Sequence, residues 1–270
     1  MAITDDLQKK LDKLKILLQS YGKVAVAFSG GVDSTLLLKI AIEELGNQAI
    51  AIYVDSPLQP KREREAVKQL IRSLGAELDV FPVDELNHVA FKDNPPDRCY
   101  HCKGVIFDNI LEVAHLKGIS IIADGSNHDD TKDYRPGMKA LRERRIRSPL
   151  QEAGLTKNEI RTLSKEYGLP TWDKDALACL ATRIPFGEAV TPDKLQIVDR
   201  AEEFLTELGF RNVRARYFGD TVLIEVREDQ VTRFSENELF EEVERQMKAI
   251  GFNKVKIAPE GYRQGRMNPK

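Results

Sequence analysis

Leucine recurs at helical spacing through "DDLQKKLDKLKILLQS" (5–20), and the pattern then changes to the short apolar run "KVAVAF" (23–28). A period near 3.6 gives one buried helix stripe, whereas a continuous Val- and Ala-rich run gives a strand buried on both faces. The alternation continues with a predicted helix over 34–45, strand over 49–55, helix over 61–74, strand over 77–83, a helix from Cys102 to about Leu116, and a strand over 119–124. Strands separated by helices of this length predict a parallel sheet covered on both faces, with ligands bound at the carboxyl ends of the strands.

After about Thr191 the pattern differs: helix over 193–208, strands over 211–218 and 221–226 joined by a turn at "FGD", helix over 237–250 and strand over 254–257. The fold class expected is therefore α/β, with a smaller C-terminal α+β domain. We place the domains at 1–188 and 189–270, with "RIPFGEAVTP" (183–192) as the linker and the second domain serving substrate binding or oligomerisation.

Lys and Arg total 41 against 43 Asp and Glu, a net charge of -2, so no overall cationic field favours a nucleic-acid partner or a membrane surface. The N-terminus lacks a secretory pattern and no apolar stretch is long enough to span a bilayer, so the expected location is cytoplasmic. In a reducing compartment, a Cys-x-x-Cys pair reads as a metal, cluster or redox site rather than a structural disulfide.

The sharpest motif, "SGGVDST" (29–35), stands where the first strand passes into an apolar helix. Two glycines allow a tight turn and close approach to an anion, and the N–H groups of a helix start attract phosphate. Ser29, Ser34 and Thr35 add hydroxyls. The absence of a Gly-Lys-Ser/Thr ending excludes a Walker A loop. The same residues also suit an ordinary strand-to-helix turn.

"SGGVDS" resembles the PP-loop of the ATP pyrophosphatase superfamily, whose members cleave ATP between the α and β phosphates. The resemblance implies that Ala27, Phe28, Ser29, Gly30, Gly31, Asp33, Ser34 and Thr35 hold ATP, with Asp33 binding Mg²⁺ or orienting phosphates. It places Asp55 and Ser56 beside adenosine. It also makes "DGSNHDD" (124–130) a second nucleotide-proximal loop, with Gly125 permitting close approach and Asp129 a candidate Mg²⁺ ligand. On composition alone that loop is a polar, solvated turn.

Further blocks, "DYRPGMKALRERR" (133–145), residues 148–188, "RAEEFLTELGFRNVRARYFGD" (200–220) and "GYRQGRMN" (261–268), resemble the LarE family of ATP-dependent sulfur transferases. The resemblance implies adenylylation of a carboxylate of pyridinium-3,5-biscarboxylic acid mononucleotide, followed by displacement of AMP by sulfur. This serves nickel-pincer nucleotide cofactor synthesis. It assigns Arg183, Arg214, Arg216 and Glu202 to the substrate region, and it implies a homo-oligomer, a hexamer. Alternation alone would also put Arg214 and Arg216 together on a solvated strand face.

Three cysteines, Cys99, Cys102 and Cys179, match the family pattern that holds a [4Fe-4S] cluster with one iron open to sulfide from an external donor. Zinc completed by His101 or His128, a redox pair, or unligated thiols remain open on the residues themselves. Two other functions also stay open: a tRNA thiolation enzyme using the basic segment Arg135 to Arg147, and a non-catalytic nucleotide- or zinc-binding module. Trp172, the single tryptophan, reads as a core aromatic that could instead cover the site.

Overall fold

In a computed structural model, which describes residues 3–88, 91, 93–132, 136–175, 178–263 and 266–267, helix α1 (Asp5–Tyr21) starts at Thr4, whose hydroxyl accepts from Leu7 N. Its Leu7, Leu11, Leu14 and Leu18 form the buried stripe that the leucine spacing demands. Strand β1 (Val24–Phe28) leads into α2 (Val32–Leu45), β2 (Ala49–Asp55), α3 (Lys61–Leu74) and β3 (Glu77–Pro82). Next come α4 (Arg98–Leu116), β4 (Ile122–Ala123), α5 (Pro136–Glu143), α6 (Pro149–Glu152) and α7 (Lys157–Glu166).

The four strands lie in the order β3-β2-β1-β4, all parallel. Side chains on β1 and β2 alternate between two cores, as the two-residue period of a strand requires. Val24, Val26, Phe28, Ala51 and Tyr53 join the leucines of α1 and the faces of α2, α3 and α7. Ala25, Ile50, Ile52 and Val54 join Phe107, Ile110 and Ala114 of α4. Both faces are covered, and the chain steps outward from β1 to β3 before returning to β1's other side at β4. The loops after β1 and β4 therefore meet at a topological switch point, where parallel sheets bind ligands.

The chain divides into two compact units, one comprising Met1–Ser56, Glu63–Glu85 and Cys99–Leu177, the other Pro57–Arg62, Leu86–Arg98 and Ala178–Lys270. In the second, α8 (Pro192–Glu207) and α9 (Asn237–Ile250) cover a mixed sheet of β5 (Arg214–Phe218), β6 (Thr221–Glu225) and β7 (Lys254–Ile257). The β5-β6 pair is antiparallel and turns through Gly219, at φ 62°; β6 and β7 are parallel. Phe210, Val222, Ile224, Val243, Met247 and Phe252 fill this unit's core.

Several sequence expectations are corrected. The helix expected after Cys102 begins at Arg98, because Pro95 and Pro96 stop before it and Arg98 N bonds to Pro95 O at 2.9 Å. The strand expected over 119–124 pairs only at Ile122 and Ala123. Trp172 is not a core residue: it is 39% exposed, with the Lys165 ammonium 4.7 Å from its ring. The supposed linker contains buried Arg183, Ile184 and Val190. No helix among the described residues is long and apolar enough to cross a membrane.

Candidate active site

Gly30 has φ 71°, and a Cβ there would lie 2.3 Å from Val67 Cγ2 of α3, so both its backbone and its surroundings demand glycine. Gly31 caps α2 without a side-chain hydrogen bond, leaving first-turn N–H groups for an external acceptor. Ser34 Oγ accepts from Ser29 N at 3.3 Å and lies 3.1 Å from Ser29 Oγ, while Thr35 Oγ1 donates to Gly31 O at 2.7 Å. These bonds close the loop on itself and leave its outer rim lined by N–H groups, the arrangement that holds phosphate.

Gly125, in the loop after β4, lies against α2 so closely that a Cβ would sit 3.0 Å from Ser34 N. In the same loop, Asp124 accepts from Ser126 Oγ at 2.5 Å and Ser148 Oγ at 2.6 Å, and Asp124, Ser126 and Asn127 are buried. The loop is thus an ordered element and not a solvated turn. Asn127 Nδ2 reaches Asp33 Oδ1 at 3.4 Å, and Asp129 Oδ2 accepts from Lys157 N at 2.8 Å.

Two lysines that the sequence reading passed over converge on these loops. Lys157, in the first turn of α7, places Nζ 2.5 Å from Asp33 Oδ2. Its helix is fixed by a capping box between Thr156 and Glu159, the one local signal that could have marked it. Lys174 Nζ donates to Gly30 O at 3.0 Å and pairs with Glu63 at 2.8 Å.

At the end of β2, Asp55 accepts from Arg64 at 3.1 Å and Lys68 at 2.8 Å. Burial pushes the Asp55 carboxyl up, but these two cations outweigh it and hold the group below its ordinary value. Ser56 Oγ donates to Glu85 Oε2 at 2.8 Å, and Cys102 Sγ lies 3.9 Å from Glu85 Oε1. Glu85, unmarked in the sequence, is fully buried, and that burial raises its carboxyl above the usual range.

The second unit gathers the predicted substrate residues. Arg183 and Glu202 form a two-pronged ion pair, both contacts 2.7 Å, and Glu202 also accepts from Ala215 N at 2.9 Å. Arg216 pairs with Glu225 at 3.1 and 2.8 Å and donates to Thr182 O at 2.9 Å. Arg214 donates to Val213 O at 2.7 Å, and its guanidinium lies 4.9 Å from the Tyr262 ring. All three arginines are buried, which excludes the solvated strand face. Burial drives Glu202 up, but Arg183 overrides it and the carboxyl sits below its ordinary value. Burial, then neighbouring Arg183, lowers Arg214. Among the described residues, buried Glu202 and Glu225 stand beside these guanidiniums, and Arg266 also pairs with Glu225.

Cys99 and Cys102 occupy the start of α4 three residues apart, which puts both on one helix face. Cys179 precedes a 3-10 turn, Leu180–Arg183, and its carbonyl accepts from Arg183 Nη1 at 3.0 Å. None of the three cysteines is in a disulfide among the described residues; Cys99 is exposed and the others are half-buried. Among the described residues no group of three or more His, Cys, Asp or Glu side chains is arranged to hold a metal ion. Of the basic segment, Arg135 lies outside the described residues, while Arg144 pairs with Asp108 and Arg147 with Glu152.

Residues 3–93 match the PP-loop domain family model. The chain is 37% identical over 264 residues to pyridinium-3,5-bisthiocarboxylic acid mononucleotide synthase of Lactiplantibacillus plantarum, a match covering 97% of this chain and 95% of that one. The chain belongs to the LarE family. It is an ATP-using enzyme of the sulfurtransferase class. An uncharacterised protein of Synechocystis sp. is also 37% identical, over 97% of this chain and 98% of its own length. The B subunit of the Archaeoglobus fulgidus GMP synthase is 29% identical over 69% of this LarE-family chain and 65% of its own.

Proposed function

We propose that the protein adenylylates one carboxylate of pyridinium-3,5-biscarboxylic acid mononucleotide and converts it to a thiocarboxylate. The observation that carries this reading is the similarity to the L. plantarum synthase, which runs through both units rather than the nucleotide loop alone. A carboxylate oxygen attacks the α-phosphorus of ATP and pyrophosphate leaves; sulfur then attacks the activated carbonyl carbon, and AMP leaves with the oxygen. The first step turns a poor electrophile into one with a good leaving group.

The loop from Ser29 to Thr35 and the start of α2 hold the pyrophosphate portion, with Lys157 and Lys174 offsetting its charge. Ala27, Phe28, Asp55 and Ser56 face the nucleoside. Asp33 and Asp129 are hard oxygen donors joined through Lys157 and Asn127, a set that fits Mg²⁺ once phosphate oxygens complete its shell. Arg183, Arg214 and Arg216, held by Glu202 and Glu225, supply the positive field for the substrate phosphate.

Cys99, Cys102 and Cys179 would be the thiolates that hold a [4Fe-4S] cluster, their soft donors suiting iron. Such a cluster would supply an iron without a cysteine ligand, able to carry sulfide from an external donor. We place the reaction in the cytoplasm and in a homo-oligomer, with 189–270 as the domain for substrate or subunit contacts. Asp33→Asn tests the nucleotide half: with ATP, Mg²⁺ and the dicarboxylate nucleotide, the folded variant should release almost no pyrophosphate. Wild-type pyrophosphate release from that variant would sink the proposal.

A further inference from the structure

Two consecutive glycines, Gly30 and Gly31, make the phosphate loop easy to bend and also easy to disorder. With no Cβ on either side, the peptide that joins them can turn over with little steric hindrance, yet an anion site needs its N–H on one side only. In a trans peptide the carbonyl and the N–H point opposite ways, so whatever holds the Gly30 carbonyl also aims the Gly31 N–H. That holder is Lys174, whose Nζ donates to Gly30 O at 3.0 Å and pairs with Glu63 Oε2 of α3 at 2.8 Å. The next carbonyl, that of Gly31, is held by Thr35, through N at 3.1 Å and Oγ1 at 2.7 Å.

A lysine on its flexible four-carbon stem fixes little unless its own backbone is fixed. Lys174 lies beyond the end of α7, in a series of turns: Leu169 N donates to Ser164 O at 2.8 Å, Trp172 N to Leu169 O at 3.3 Å, and Lys174 N to Thr171 O at 3.0 Å. Arg161 of α7 then grips this segment, Nη1 on Trp172 O and Nη2 on Lys174 O, both at 2.8 Å. Lys165, one turn further on, is the residue whose ammonium stands against the Trp172 ring. Lys157, Arg161 and Lys165 recur every four residues and so share one face of α7. At the head of that face Lys157 pairs with Asp33, in the same loop as Gly30. All of these residues belong to the first unit.

We infer that Arg161 is a positioning residue of the nucleotide site: by fixing the backbone of Lys174 it fixes the ammonium on Gly30 O, and the Gly31 N–H is aimed for phosphate before ATP arrives. The inference rests on the reading above that this loop holds the pyrophosphate portion of ATP. A loop whose peptide is already set gives up less freedom on binding, so the relay from Arg161 through Lys174 to Gly30 raises affinity without Arg161 touching the nucleotide.

The test uses the full-length protein and two probes: AMP, and α,β-methylene-ATP, which cannot be cleaved between the α and β phosphates. Affinities are read by calorimetry, and hydrogen exchange across residues 29–35 of the nucleotide-free protein is read by mass spectrometry. Arg161→Met keeps the aliphatic stem and removes the donors. It should weaken binding of the ATP analogue about tenfold, the effect of one charge-assisted hydrogen bond, with AMP affinity at the wild-type value. Exchange should quicken, because the closed loop protects the Ser29 and Thr35 amides. Lys174→Met should do the same, and the double variant should bind no more weakly than the weaker single one, since both act on one carbonyl. Additive losses, an equal loss for AMP, or unchanged analogue affinity overturns the relay. Weakened binding with unchanged exchange also overturns it, leaving Lys174 as a charge alone. Arg161→Lys lacks the fork that grips two carbonyls and should lose part of the affinity; it serves if Arg161→Met does not fold. Wild-type protein that binds the analogue no more tightly than AMP overturns the pyrophosphate-loop reading and the relay with it.

Discussion

Lys157 and Asp33 form a 2.5 Å ion pair across 124 residues of sequence, and the N–H of the same lysine is held by Asp129 at 2.8 Å. One residue thus joins the loop after β1, the loop after β4 and the start of α7. Its ammonium pairs with Asp33 in the first turn of α2, and under the function proposed above it would face the charge that develops on a departing pyrophosphate. Lys157→Met should cut ATP-dependent AMP formation by about 100-fold or more, with little change in unfolding temperature because the pair is only partly buried. Steady-state AMP release by the purified variant checks this; wild-type turnover would remove Lys157 from the phosphate site.

Gly30 illustrates a different constraint. A methyl group there meets Val67 Cγ2 at 2.3 Å, and φ 71° is itself unfavourable for a side chain by roughly 1–2 kcal/mol. Gly30→Ala should lose ATP binding measured by calorimetry. Adding Val67→Ala opens the space but leaves the backbone strain, so the double variant should recover only part of the affinity. Full recovery would mean that the clash with α3 alone sets the loop.

The Arg183–Glu202 pair gives a pH-dependent prediction. Glu202 is held below its ordinary value of 4.5, so its contribution is complete above that value and is lost as pH falls through the lower folded-state value. Glu202→Gln leaves a buried guanidinium without its counter-charge and should destabilise by about 3 kcal/mol at neutral pH. The gap to wild type should close in acid. Urea unfolding across pH checks both; a constant gap would show that packing, and not charge, is responsible.

The α/β order and the nucleotide loop were legible because they rest on local signals: a 3.6 period, short buried strands, and two glycines between a strand and a helix. The second loop was singled out only by resemblance, since acidic residues after a strand look the same whether solvated or fixed by Ser126 and Ser148. Lys157, Lys174 and Glu85 were missed for a related reason. A charged residue on a helix or 3-10 turn carries no mark of the partner that topology brings to it. Arg183 was singled out by resemblance, yet its segment was read as a linker, because Pro and Gly there outweighed Ile184 and Val190, which the structure buries.

The central claim, sulfur transfer to an activated carboxylate, is tested most directly by the mass of the product. Protein reconstituted anaerobically with iron and sulfide, then given Mg²⁺, ATP and pyridinium-3,5-biscarboxylic acid mononucleotide, should yield AMP and a mononucleotide in which sulfur has replaced oxygen. An unchanged mononucleotide, with no AMP formed, would contradict the account.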